Sequence, residues 1–291
     1  MDVLTVEKGA KADKALTPGL SPYPLAGLVF CFTLLFILYF KTLVFLVHDW
    51  ITLPDFSHGF VVVPVSLYLV WQRRVNLKAP ASPSNWGLPV LLFGLLLFFL
   101  GGLAAEVFTQ RFSLLVVIAG LVLFLFGKQH LKTIAFPLSF LILMIPLPTI
   151  LLQKITFPMQ LFASRCAGNV LDFLSIPALR EGNVLYLSNV TLNVAEACSG
   201  LSSMMSFLTI GTLFAYFKNK LLWQRLLVIA SAIPIAILSN ALRVSATGVI
   251  GYYLGPKAIG GSYHELTGFV LFLLVAAFFY ALAELLCKIK N

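Results

Sequence analysis

LLVIASAIPIAILSNALRVSATGVI, residues Leu226–Ile250, decides the fold, because Arg243 is its only charge and everything around that residue is apolar or small. At a rise of about 1.5 Å per residue the run is long enough to cross roughly 30 Å of hydrocarbon. The chain as a whole has the same character. It is 60% hydrophobic and 11% charged, with a mean hydropathy of +0.97, which exceeds what one soluble core can hide. Similar runs near 25–47, 58–71, 87–104, 112–127, 131–152, 201–217 and 265–286 bring the expected crossings to about eight. The run at 58–71 is short and contains Pro64, so it is expected to tilt or kink. The expectation is an all-α polytopic membrane protein, with residues 1–24 as a cytoplasmic tail and 25–291 as one integral membrane domain. A cleavable signal peptide is not expected, since the first apolar run is too long and ends without a small-residue cleavage site.

Loop charges give the orientation. Lys8, Lys11 and Lys14, then Arg73, Arg74 and Lys78, then Lys128 and Lys132, then Lys218, Lys220 and Arg225, and finally Lys288 and Lys290 fall on one side when the runs alternate. Basic residues accumulate on the cytoplasmic side, so both termini are expected inside. The opposite side holds only Arg111, Lys154, Arg165, Arg180 and Lys257, while Lys41 and Arg243 fall within spans. The net charge of +9 therefore reads as topology, and nucleic acid is not an expected partner. Cys31, Cys166, Cys198 and Cys287 form no CxxC pair, so neither a zinc site nor a disulfide framework is indicated. No metal and no cofactor are expected.

Residues 153–200 form an outer segment too long for a simple loop and too apolar for disorder. Thr156, Gln160, Ser164, Gly168 and Asp172 recur every fourth residue, which predicts an interfacial or re-entrant helix with one polar stripe. Asn183–Val194 carries β-branched residues around a Ser188-Asn189 turn, which predicts a small outer-face β-hairpin capping the helices.

The hairpin leads into Glu196-Ala-Cys198-Ser199-Gly200-Leu201, where an apolar helix begins. A cysteine at a helix N-terminus faces unpaired N–H groups that favour its thiolate. Gly200 allows close approach to a substrate carbonyl, and the same turn can donate an oxyanion hole. Arg243, with Asn240 one turn before it, is expected near the outer edge of its span. A charge there is costly, and it suits a developing oxyanion or a carboxylate. His264 opens the last run, also on the outer side, and an imidazole there can take and return a proton; Glu265 either orients it or caps the helix. Asp55-Phe-Ser57-His58-Gly-Phe60 opens the second run at the same face, as a substrate mouth or a polar helix start. The residues alone support a thiol-dependent acyl transfer and do not show that the three groups meet.

Asp55-Phe-Ser-His-Gly-Phe60 with Pro64, Glu196-Ala-Cys-Ser-Gly-Leu201, Asn240-Ala-Leu-Arg243, and His264 with Gly268 together resemble the exosortase and archaeosortase family of multi-span sorting enzymes. The resemblance implies a cysteine transpeptidase whose catalytic Cys, Arg and His fall on Cys198, Arg243 and His264. It implies as partners exported proteins bearing a C-terminal sorting signal with a transmembrane helix and a basic tail, of the PEP-CTERM kind, and an amine acceptor. It also implies a bacterial or archaeal cytoplasmic (inner) membrane setting, with the active site on the outer, periplasmic face. The rival expectation is a transporter or assembly partner of surface-polysaccharide export, with Cys198 structural.

Overall fold

The computed structural model describes residues 25–194, 200–256 and 262–289, with the backbone alone at Leu25 and 262–265. Nine helices and one small sheet follow in order among these residues. They are α1 (Leu25–Thr52), α2 (Gly59–Gln72), α3 (Gly87–Leu103), α4 (Val107–Leu125), α5 (Lys128–Phe140), α6 (Thr149–Phe173), β1 (Ala178–Glu181), β2 (Val184–Leu187), β3 (Thr191–Asn193), α7 (Leu201–Lys218), α8 (Leu222–Leu254) and α9 (Ser262–Lys288).

By length and apolarity α1, α4, α8 and α9 can each cross a membrane. A fifth crossing is available if α5, extended by the 3-10 turn Leu141–Met144, is taken together with α6 as one bent span. That is fewer than the eight expected. The 14 residues of α2 and the 17 of α3 rise only about 21 and 26 Å. α7 has 18 residues, but serine and threonine dilute its apolar face. The run expected at 131–152 also ends early: the helix stops at Met144 and restarts at Thr149, with a 75° bend between. Pro146 and Pro148 supply the reason, since neither can donate a helical hydrogen bond.

A helix stopped inside an apolar body exposes carbonyls that nothing along the chain satisfies. Side chains from the α1–α2 corner do so here. Trp50 Nε1 donates to the Met144 carbonyl at 2.9 Å, and His58 Nε2 lies 2.8 Å from the Leu143 carbonyl. About two turns back, Ser66 donates to the Pro137 carbonyl at 2.8 Å. Gly59 makes room for the indole, because a Cβ there would sit 2.4 Å from Trp50.

The polar stripe of α6 has a definite partner. Ser164 donates to the Gly182 carbonyl at 2.9 Å, and Asn183 Nδ2 donates to Gln160 Oε1 at 3.2 Å. Both contacts lie at the β1–β2 turn, so the stripe docks the sheet while Ala163, Ala167 and Leu171 pack beside it. The sheet is a three-stranded antiparallel meander in the order β1-β2-β3, not a lone hairpin. Its β2–β3 arm is the expected one. β1 is additional, joined to β2 through Gly182 at φ 62° and Asn183. Leu185, Leu187 and Leu192 bury one face of the sheet against α6 and against Ala241 and Val244 of α8. Asn189 Nδ2 donates to the Tyr252 carbonyl at 2.8 Å and fastens the sheet to the end of α8. The sheet thus caps the end of the bundle where α8 finishes.

Replacing Trp50 by Phe keeps a ring but strands the Met144 carbonyl. An unfolding free-energy loss of about 1–3 kcal/mol is expected, read as a lowered thermal midpoint in detergent, whereas an unchanged midpoint would mean the broken helix does not need this donor.

Candidate active site

At the same end, α7 begins where its sequence demands a glycine. Gly200, its N-cap, sits at φ 77°, in the left-handed region that residues with a Cβ avoid. A Cβ at this position would also come within 2.9 Å of Asn240 Cγ and 3.0 Å of Met159 Cε. Asn240 is buried on α8. The start of α7 is therefore pressed against α8 one turn before Arg243.

α9 meets Arg243 from the other side. A Cβ on Gly268 would lie 3.5 Å from Arg243 Nη2 and 3.6 Å from its Cζ, so the glycine gives the guanidinium a flat wall to lie on. Gly268 follows His264 by four residues on α9, which places the two Cα positions on one helix face. Ser202, Ser203 and Ser206 of α7, Ser239 and Arg243 of α8 and Phe272 of α9 line a cavity of about 310 Å³. The cavity is a hydroxyl-rich pocket with a cation in its wall, suited to a carbonyl or carboxylate oxygen.

The 3-10 turn Pro54–Phe56 brings in the first motif. The Asp55 carboxylate accepts the backbone N–H of Ser202, a position where a carboxylate complements the helix N-terminus. Burial raises the Asp55 pKa, with the Ser202 bond and nearby His58 opposing that rise. Burial lowers the His58 pKa, opposed by the Leu143 carbonyl and Asp55. Ser57 turns elsewhere: it is exposed and donates to the Pro54 carbonyl of its own turn at 2.9 Å.

Of the residues singled out in the sequence, the structure gathers Asp55, Gly200, Asn240 and Arg243 around the start of α7, with His58 beside Asp55. It places the His264 backbone on the helix that carries Gly268. Glu196, Cys198 and Ser199 lie outside the described residues, as do the side chains of His264 and Glu265. Ser206 and Ser239 were not anticipated. Their signal was present, since Ser202–Ser206 and Ser239–Arg243 are both spaced by four on otherwise apolar helices.

A bundle of apolar helices closing an arginine-walled polar pocket at its capped end defines an integral membrane protein with a candidate site between α7, α8 and α9. A family model described as transmembrane exosortase matches residues 50–281, a range that includes all four motif blocks, and the chain belongs to that family. No curated protein and no solved structure matches it.

Gly200→Ala combines an unfavourable dihedral with a clash. A loss of about 1–2 kcal/mol is expected from the dihedral alone, with more from Asn240. Adding Asn240→Ala should recover the clash but not the dihedral, so a double-mutant cycle on thermal stability that shows no coupling would refute the contact.

His58 binds fewer protons in the native state than unfolded, so its contribution is present above the ordinary imidazole pKa and is lost as pH falls through it. Asp55 has the opposite sign, its contribution fading as pH rises from the ordinary carboxylate range. The thermal midpoint of the native chain should fall between neutral pH and about pH 5, and His58→Gln should flatten that slope.

Proposed function

We propose that the chain is a membrane cysteine transpeptidase that removes the C-terminal sorting signal of exported proteins and passes the new C-terminus to an amine acceptor. The observation that carries this reading is the contact of Gly200, two residues after Cys198, with Asn240, together with a pocket where α7, Arg243 and the His264-bearing helix meet. Family membership and the order of the four motif blocks support it.

The roles follow from the chemistry each group can perform. The Cys198 thiolate attacks the scissile carbonyl carbon and forms a carbon–sulfur bond. The oxygen gains negative charge, which Arg243 and the hydroxyl-lined wall stabilise. His264 gives a proton to the departing amine as the carbon–nitrogen bond breaks, leaving a thioester on Cys198 and the membrane-anchored tail as product. The acceptor amine attacks the thioester, loses a proton to His264 and frees the thiolate. Asp55 holds the start of α7, and Asn240 supports Gly200, so both act on Cys198 by positioning it. The distribution of loop charges supports a reading in which the sheet-capped end faces outside the cytoplasmic membrane and both termini lie inside. A substrate helix lying in the same bilayer would present its scissile bond at that depth, and the pocket would supply the orientation that makes transfer unimolecular.

The test is replacement of Cys198 by Ala, and separately of Arg243 by Lys, in cells expressing a substrate with a C-terminal spanning helix. Mass spectrometry of that substrate should show no processing with Cys198→Ala and a fall of about 10²-fold or more with Arg243→Lys. Both variants should accumulate in the membrane. A wild-type product carrying an added amine establishes transfer, and a free carboxylate establishes hydrolysis. Unchanged processing in Cys198→Ala would make the cysteine structural and end this reading.

A further inference from the structure

A second cavity, of about 920 Å³, lies between α1, the α3–α4 corner and the helix break at Pro146–Thr149, and shares no lining residue with the Arg243 pocket. Its α1 wall is formed by Leu38, Lys41, Phe45 and Asp49, which recur at helical spacing along one face. Most of the lining is apolar, which makes its charges conspicuous.

Lys41 is the first of these. It sits within a spanning helix, where an ammonium is costly and is a functional candidate by default. Its Nζ lies 5.8 Å from the Phe45 ring centroid, one turn toward Asp49. Arg111 is the second. Its side chain is 4% exposed; Nη2 pairs with Asp49 Oδ2 at 2.7 Å, and Nε has no hydrogen-bond partner among the described residues. Glu106 also lines the cavity, but its carboxylate accepts the N–H groups of Phe108 and Thr109 and so is offset by its own helix dipole. Asp49 answers Arg111 and Glu106 is engaged by its own helix, so Lys41 is left without a carboxylate partner among the described residues.

We propose that this cavity binds one anionic phospholipid, its phosphate between Arg111 and Lys41 and its acyl chains along Leu38, Phe45 and Phe98. Asp49 and Arg111 lie near the ends of α1 and α4, within about one turn of Thr52 and Val107, and Lys41, about 12 Å deeper than Asp49, reaches toward them along its flexible stem. Helices that cross the bilayer put such positions at the headgroup boundary, where a lipid phosphate resides. The site does not depend on the transpeptidase reading.

The experiment is native mass spectrometry of the full chain released from nanodiscs of equal phosphatidylglycerol and phosphatidylcholine. One lipid should stay on each chain, with phosphatidylglycerol favoured about fivefold, the factor one interfacial cation gives. Lys41→Met should abolish that preference. Gly102→Leu should remove the retained lipid, since a Cβ there meets only the Gln110 side chain, at 3.5 Å, and the added bulk enters the cavity. A wild-type chain without retained lipid, equal retention of both lipids, or unchanged retention in Gly102→Leu would overturn the proposal. So would inorganic phosphate raising the thermal midpoint as much as phosphatidylglycerol does, or a synthetic spanning peptide displacing the lipid at stoichiometric amounts.

Discussion

An interrupted helix in an apolar body must find hydrogen-bond partners for the backbone it leaves open, and this constraint organises one half of the molecule. Pro146 and Pro148 stop the chain after Met144 and turn it by 75°. The carbonyls of Leu143 and Met144 then draw His58 and Trp50 onto them. Because those two donors flank the turn at Pro54–Phe56, satisfying the break also fixes Asp55. Asp55 in turn holds the N–H of Ser202 at the start of α7. A backbone requirement in one element therefore positions a helix terminus more than fifty residues later.

The other half is organised by close approach. Gly200 and Gly268 are the points where α7 and α9 come against α8, each because a side chain would collide or crowd there. Between them the guanidinium of Arg243 is held flat, with serines on the facing helix surfaces. The α6–sheet unit buttresses α8 from outside, through Ala163, Ala167 and Leu171 packed against Ala241 and Val244. Rigid support around a polar pocket is what a preorganised charge-stabilising site needs, since donors that must reorganise during reaction lose much of their effect.

The contrast between the two cavities follows from how their charges are accommodated. Around Arg243, hydroxyls and a glycine wall accompany the cation inside a tight three-helix contact. Beside Lys41 and Arg111, α1 packs on the α3–α4 hairpin through Tyr39, Leu35 and Leu43, and is tied to it by the Asp49–Arg111 pair and by Tyr39 to Ser113 at 2.7 Å, with the cavity left next to that contact. The first arrangement suits a small polar group and the second an amphiphile with long chains.

Composition and periodicity alone determined that the chain is a helical membrane protein, because transfer energies of apolar runs act locally and sum along the sequence. The same logic isolated Arg243, since one charge in an apolar run is visible without any contact map. The β2–β3 hairpin was legible from its turn residues. β1 was not, although Gly182-Asn183 is a two-residue turn signal, because Ala178–Glu181 has no alternation of its own. The end of α5 was misread because apolarity continues through Pro146 and Pro148 to residue 152, so hydropathy and backbone chemistry pointed to different boundaries. Which crossings are full length, that Asp55 caps α7, that Ser206 and Ser239 share a pocket with Arg243, and that α1 leaves a cavity were decided only by tertiary structure. These depend on how closely two backbones approach, and that distance is set by residues far apart in the chain.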